Sequence, residues 1–168
     1  IIPWLKCLEA NIQATDQGGK RKGACVVYLE PWHPDFLTFL EVRDPNGSVS
    51  HRTYDLNTAV WIPDIFMKRV QEDGDWSFFD PDECPGLAKS FGEGFEVLYR
   101  TLEQTGKARN TLKARAVYER MVRAIGQSGN FWVGFKDSTN RKSPQVGKDR
   151  DLMVEHSNLC TEIALATK

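Results

Sequence analysis

Cysteine is scarce and scattered: the four in this chain, Cys7, Cys25, Cys84 and Cys160, form no CxxC pair and no cluster with histidine. That spacing argues against a zinc site and against a disulfide scaffold, and it fits a reducing, cytosolic compartment. A surplus of charge is also missing, since 22 basic and 23 acidic residues leave a net charge of −1. No global basic field therefore exists to draw in nucleic acid or an anionic membrane. No apolar run approaches the length needed to span a bilayer, and no charged leader precedes an apolar stretch at the start. Neither GxxxxGK[ST] nor GxGxxG occurs, which excludes the two commonest phosphate-loop signatures. The acidic residues Asp73, Asp75, Asp80, Asp82 and Glu83 lack EF-hand spacing and read as surface turns, so no metal site is expected.

What is present is the composition of a soluble globular domain. The chain is 40% hydrophobic and 27% charged over 168 residues, with a mean hydropathy of −0.46, enough for one domain with a real core. It opens Ile1-Ile2-Pro3-Trp4 without an initiator Met and stops at Ala166-Thr167-Lys168 after a strand-like run. Both ends read as those of an internal piece of a longer polypeptide.

Residues 3–15 predict a helix, with Pro3 in the first turn and Trp4, Leu5, Leu8 and Ile12 on one face. Ala24–Leu29 is a continuous apolar run, as expected of a strand buried on both faces. A short helix follows over Phe36–Val42, a strand within Tyr54–Trp61, a helix opened by Pro63, and a strand over Trp76–Phe79. Phe91, Phe95, Leu98, Tyr99 and Leu102 hold helical spacing up to Gly106. Residues 111–125 predict another helix, with Ala114, Tyr118, Met121, Val122 and Ile125 inward, and Phe131–Phe135 a strand. Residues 137–150 read as a polar, charged loop before a final extended segment, Asn158–Glu162. Strands alternating with helices point to an α/β fold with largely parallel pairing.

Chemistry concentrates in Ser157-Asn158-Leu159-Cys160-Thr161-Glu162. Extended backbone would turn Asn158, Cys160 and Glu162 to one face, bringing an amide, a thiol and a carboxylate together. A thiolate nucleophile wants positive neighbours, whereas a carboxylate disfavours it, so the pattern suits chemistry on the S–H bond itself. On residue types alone, a half-buried structural cysteine is the commoner explanation. A Cys–His dyad with His156 is a weaker alternative. The second feature is Asp16-Gln17-Gly18-Gly19-Lys20-Arg21-Lys22-Gly23, whose glycines free backbone N–H groups and whose basic residues supply charge for a phosphate. A plain solvated connection fits it equally well. His33, between Trp32 and Pro34, suits capping or packing better than catalysis, and His51 is isolated.

Four separated motifs nevertheless stand in order: Asp16–Ala24; Tyr28-Leu29-Glu30-Pro31-Trp32-His33; Trp61-Ile62-Pro63-Asp64-Ile65-Phe66-Met67-Lys68-Arg69-Val70; and Ser157–Ile163. With them, the chain resembles the large, catalytic (alpha) subunit of class I ribonucleotide reductase along essentially its whole length. The resemblance implies part of a ten-stranded α/β barrel with a central finger loop, here about residues 156–163, and an effector-specificity loop at 16–24. It implies reduction of ribonucleoside diphosphates by a thiyl radical on Cys160, with Glu162 as general base and Asn158 on the ribose hydroxyls. Asp16, Gln17, Gly18, Gly19 and Arg21 would belong to the loop that reads a dNTP or ATP effector.

No cofactor is implied for this segment itself. The family draws its radical from a metal-containing small (beta) subunit, is regulated by nucleotides with Mg, and is re-reduced by thioredoxin or glutaredoxin. A homodimer of the full-length chain is implied, with neither nucleic acid nor membrane as partner. None of Cys7, Cys25 or Cys84 matches the family's reducing pair, so the segment alone is expected to be incomplete as an enzyme. The alternatives are a non-catalytic nucleotide-binding or regulatory module and a split-gene subunit active only with a partner chain.

Overall fold

The computed structural model describes residues 1–16, 18–147 and 152–167. Its elements run α1 (Ile2–Ala14), β1 (Cys25–Leu29), α2 (Phe36–Glu41), β2 (Leu56–Ile62), α3 (Asp64–Gln71), β3 (Asp75–Phe78), α4 (Gly92–Gln104), β4 (Asn110–Lys113), α5 (Ala114–Ser128), β5 (Trp132–Phe135) and α6 (Lys136–Lys142). Strands β1, β2 and β5 form a parallel sheet in the order β1-β2-β5, and β3 and β4 pair apart from it, antiparallel. The α/β class and the parallel pairing expected from the sequence are both present. Among the described residues no helix is long and apolar enough to cross a membrane.

The register Val27↔Thr58, Leu29↔Val60 and Ile62↔Phe135 gives the parallel sheet two distinct faces. Cys25, Val27, Leu29, Leu56, Val60 and Ile62 look toward the helices and join the hydrophobic core. Val26, Tyr28, Asn57, Ala59, Trp61, Trp132 and Gly134 alternate with them onto the opposite face. There Tyr28 meets Trp61 edge-on at 5.6 Å. A side chain at 134 would start 2.4 Å from the Trp61 ring, so glycine gives that ring its space.

Beneath the helical face lies an aromatic cluster. Trp76 stacks on Tyr99 at 4.5 Å and meets Phe66 edge-on at 4.8 Å, while Phe79 and Phe95 flank Tyr99. The Tyr99 hydroxyl accepts from Ser77 N–H and donates to Ser77 C=O, so its polar end is satisfied without water. At the other end of the fold, buried Glu9 of α1 accepts from the N–H groups of Tyr54 and Asp55 and pairs with Lys6. Burial pushes its carboxyl up, but these bonds outweigh it and the net shift is downward.

Five expectations fail in instructive ways. Trp4, expected on the apolar face of α1 with Leu5, Leu8 and Ile12, is 79% exposed. Strand β1 is half-buried along its length rather than enclosed on both faces, because it lies at the sheet's edge in the described structure. The helix expected over 111–125 begins only at Ala114, since Asn110–Lys113 pairs with β3, and Val122 points outward at 47% exposure. The stretch read as a polar loop over 137–150 opens instead with helix α6, in which Lys136, Asp137 and Asn140 are buried. Residues 159–162 form a turn and not an extended strand, so alternation does not put Asn158, Cys160 and Glu162 on one face.

Candidate functional site

The cysteine motif is the bend of a hairpin. Its two limbs pair antiparallel at both ends: Thr167 N–H donates to Met153 C=O at 3.0 Å, and Asn158 N–H donates to Ile163 C=O at 3.0 Å. Asn158 closes the bend with its side chain as well, its Oδ1 accepting from Ile163 N–H at 3.0 Å, while its C=O accepts from Thr161 N–H at 3.2 Å. The intervening Leu159-Cys160-Thr161-Glu162 is thus held as a compact turn. Thr161 carries φ +69, a left-handed conformation that costs a β-branched residue roughly 1–3 kcal/mol. Cys160 and Glu162 are exposed within this turn, and Asn158 is half-buried below them. His156 is exposed on the entering limb, and among the described residues no hydrogen bond joins it to Cys160.

The entering limb is tied into the molecule at two points. The Asn140 carboxamide brackets Val154, donating through Nδ2 to its C=O at 2.9 Å and accepting from its N–H at 2.8 Å. Three residues on, Ser157 Oγ donates to Asn158 C=O and shares a hydrogen bond of 2.5 Å with the Tyr28 hydroxyl. With its own proton committed, Ser157 accepts from Tyr28. The hairpin therefore meets the face of the sheet opposite the helices.

The ties converge on polar groups just beyond the C-terminal ends of the parallel strands. Glu30 follows β1, and Lys136 follows β5. The fully buried Lys136 ammonium donates to Glu30 at 2.7 Å and to Leu87 C=O at 3.1 Å, and lies over the Phe95 ring at 4.9 Å. The other Glu30 oxygen accepts from Trp32 Nε1 at 2.8 Å. Burial pushes the Glu30 carboxyl up to about 7, against the pull of Lys136. Next in sequence, Asp137 accepts from Asp64 N–H and from Gly92 N–H, both at 2.6 Å, and so caps α3 and α4 together. None of Lys136, Asp137 or Asn140 had a role in the sequence reading. The signal available was position: a Lys-Asp-x-x-Asn run straight after a strand, at the sheet end where α/β barrels collect functional residues.

The glycine-rich loop is built differently. Asp16 and Lys22 form an isolated antiparallel bridge, Asp16 Oδ1 accepts from Gly19 N–H at 3.0 Å, and Gly23 N–H donates to Thr15 C=O at 2.8 Å. Gly18 and Gly19 take φ +63 and +73 with nothing near their would-be Cβ atoms, and Lys20 and Arg21 stand exposed at the tip. Gln17 lies outside the described residues. The loop feeds the start of β1. With a rise of ~3.3 Å per residue, Cys25 is about 10 Å along the strand from Tyr28, which touches the hairpin. One strand thus runs from the basic loop to the cysteine hairpin.

The other candidates resolve into structural roles. His33 Nδ1 accepts from Asp35 N–H at 3.0 Å in the turn before α2, and burial holds its pKa down. Among the acidic residues, Asp73, Asp75, Asp80 and Glu83 pair with Arg115, Lys113 and Arg109 at the surface. Burial raises the Cys25 and Cys84 thiols, consistent with inert packing cysteines.

The whole chain, residues 1–168, matches the family model of the ribonucleotide reductase barrel domain. It is 46% identical over 164 residues to the ribonucleoside-diphosphate reductase large subunit of Arabidopsis thaliana, covering 97% of this chain and 20% of that protein. It is 43% identical to the large subunit of Variola virus, over 97% of this chain and 21% of the relative. It is 44% identical to the ribonucleoside-diphosphate reductase subunit alpha of Chlamydia muridarum, over 98% of this chain and 16% of the relative. The chain thus spans about a fifth of the length of these curated relatives. With four ordered motifs, a parallel α/β sheet and a full-length family match, the chain belongs to the ribonucleotide reductase barrel-domain family, on its class I large-subunit branch.

Proposed function

We propose that this chain carries the radical-bearing part of an enzyme that reduces ribonucleoside diphosphates to 2′-deoxyribonucleoside diphosphates. The observation that carries the reading is the hairpin. A thiol and a carboxylate stand exposed two residues apart on a closed turn, and their supporting limb is fixed to the sheet. Hydrogen-atom transfer needs a thiol held at one place against a carbon–hydrogen bond, with a base at hand.

In this reading the Cys160 thiyl radical takes the 3′ hydrogen atom of the ribose, re-forming an S–H bond and leaving a carbon radical. Glu162 accepts the proton of the 3′ hydroxyl. The 2′ oxygen leaves as water, a dithiol elsewhere in the full-length protein supplies two electrons and two protons and becomes a disulfide, and Cys160 returns its hydrogen atom to the 3′ carbon and regains the radical. Asn158 uses Oδ1 to close the turn, which leaves its Nδ2 donors for a ribose hydroxyl. The radical comes from a metal-containing small subunit.

The glycine-rich loop would bind a dNTP or ATP effector with Mg, through its exposed backbone at Gly18 and the charge of Arg21, with Asp16 holding the turn through Gly19 N–H and Gln17 reading the nucleotide. Thioredoxin or glutaredoxin, a homodimer of the full-length chain and a cytoplasmic location complete the proposal. The test is Cys160→Ser in the full-length large subunit with its small subunit. Substrate and effector binding should persist while reduction is lost; retained turnover would overturn the thiyl assignment.

A further inference from the structure

The turn bearing Cys160 has few contacts of its own, so what fixes the thiol must lie at the base of the hairpin. The return limb does little, since Ile163 and Leu165 are exposed and its one described tie into the rest of the fold runs from Ala166 N–H to Gln145 Oε1 at 2.7 Å. The entering limb is different. Val154 is fully buried, its C=O accepting from Asn140 Nδ2 and its N–H donating to Asn140 Oδ1. Asn140 also donates to Lys136 C=O at 2.9 Å, so its amide plane is fixed by α6. Ser157, 9% exposed, is held by Tyr28. Tyr28 is in turn packed edge-on against the buried ring of Trp61. Two supports on different elements therefore grip the limb three residues apart, and the second lies three residues before the thiol.

We infer that Tyr28 and Asn140 are positioning residues for Cys160. Through Ser157, the Tyr28 hydroxyl sets the height of the turn above the sheet, and Asn140 sets the direction from which the limb arrives. Neither touches the reacting atoms. The inference rests on reading Cys160 as the radical-bearing thiol. Because a small displacement of a reacting atom is costly while the rest of a binding pocket is untouched, loss of this bond should appear in turnover and not in substrate affinity.

The experiment uses the full-length large subunit with its small subunit and saturating effector. Tyr28→Phe removes one oxygen and keeps the ring. Tyr28→Phe and Ser157→Ala should each lower kcat roughly tenfold, with KM for the nucleoside diphosphate within about twofold of the parent value. The double variant should be no worse than either single one, because both break the same bond. Ser157→Thr, which keeps the hydroxyl, should retain most of the activity. A kcat for Tyr28→Phe close to that of the parent, or two defects that multiply, would overturn the inference. Asn140→Ala should lower kcat with the same KM pattern; if it fails to fold, the Tyr28 and Ser157 variants decide alone. Cys160→Ser run alongside separates the two levels. If it keeps turnover, the radical reading fails; if it is inactive while Tyr28→Phe is not impaired, only the positioning role fails.

Discussion

The two loops that carry the candidate chemistry are built on opposite principles. The glycine-rich loop is closed on itself: Asp16, Gly19, Lys22 and Gly23 bond within the loop or to the end of α1, and the basic side chains at its tip are exposed. The cysteine hairpin is also closed on itself through Asn158, but it is anchored to β1 and α6 by side chains from far along the chain. The first design lets a loop change shape around different ligands; the second holds one atom in one place. A nucleotide sensor and a radical site have just these opposed requirements. Strand β1 connects the two, with the glycine-rich loop at its start and the Tyr28 tie near its end.

The anchored end is where a single substitution should cost most. Lys136→Met keeps the apolar stem but removes the cation that holds the Glu30 carboxyl down, so Glu30 must take up a proton or stay buried and unpaired, at a cost of ~3–5 kcal/mol. Urea unfolding of the full-length polypeptide should show the loss. Hydrogen exchange should rise in residues 28–33 and stay unchanged around residues 18–22; equal loosening of both would break the contrast drawn between the loops.

Glu30 also gives that end a dependence on pH. Its folded pKa is raised to about 7 by burial, above the unfolded value near 4.3. Between those values the folded state keeps a proton that the unfolded state has released. Its contribution to stability therefore falls as pH rises from about 4 to about 7, by roughly 3–4 kcal/mol, and is flat above. Urea midpoints across this window should lose that slope in Glu30→Gln. A slope of opposite sign in the parent protein would contradict the assignment.

At the other loop the effects are smaller and local. A Cβ at Gly23 would lie 2.9 Å from Ile12 O and 3.0 Å from Thr15 Cβ, so Gly23→Ala forces the loop base off α1. That should cost about 1–3 kcal/mol and shift amide signals across residues 15–24 while those of 153–158 stay put. Gly19→Ala meets open space and pays only for φ +73, about 1 kcal/mol. It should leave kcat for a substrate measured without effector unchanged and weaken the response to effector.

Much of this architecture could be read from residues alone. Phe95 and Tyr99 of α4 advertise their helix through strict spacing, and the apolar β1 and β2 runs announce a parallel sheet. Helix α6 could not be found that way. Its sequence Lys-Asp-Ser-Thr-Asn-Arg-Lys is polar all round, with poor helix formers from Asp137 to Asn140, and it exists because its buried polar groups bind other elements. Strand β4 was hidden for a similar reason, being four exposed or half-exposed residues whose only claim to be a strand is their partner β3. The motif residues Asn158, Cys160 and Glu162 stood out by chemical type, yet their geometry did not. A turn containing Thr161 at positive φ, closed by an asparagine side chain, has no signature in alternation. The anchors were further out of reach, since Tyr28 and Ser157 meet across 129 positions.

Asp137 has a consequence for motion. One carboxylate, buried and rigidly mounted on α6, receives the first free N–H of α3 on one oxygen and that of α4 on the other. The leading ends of these two helices are thereby pinned to a common pivot. A tilt imposed on either at its far end must swing about this point and drag the other, so α3 and α4 should behave as one lever on the microsecond-to-millisecond timescale. Relaxation-dispersion profiles along both helices should share a single exchange rate, and Asp137→Ala should split it in two.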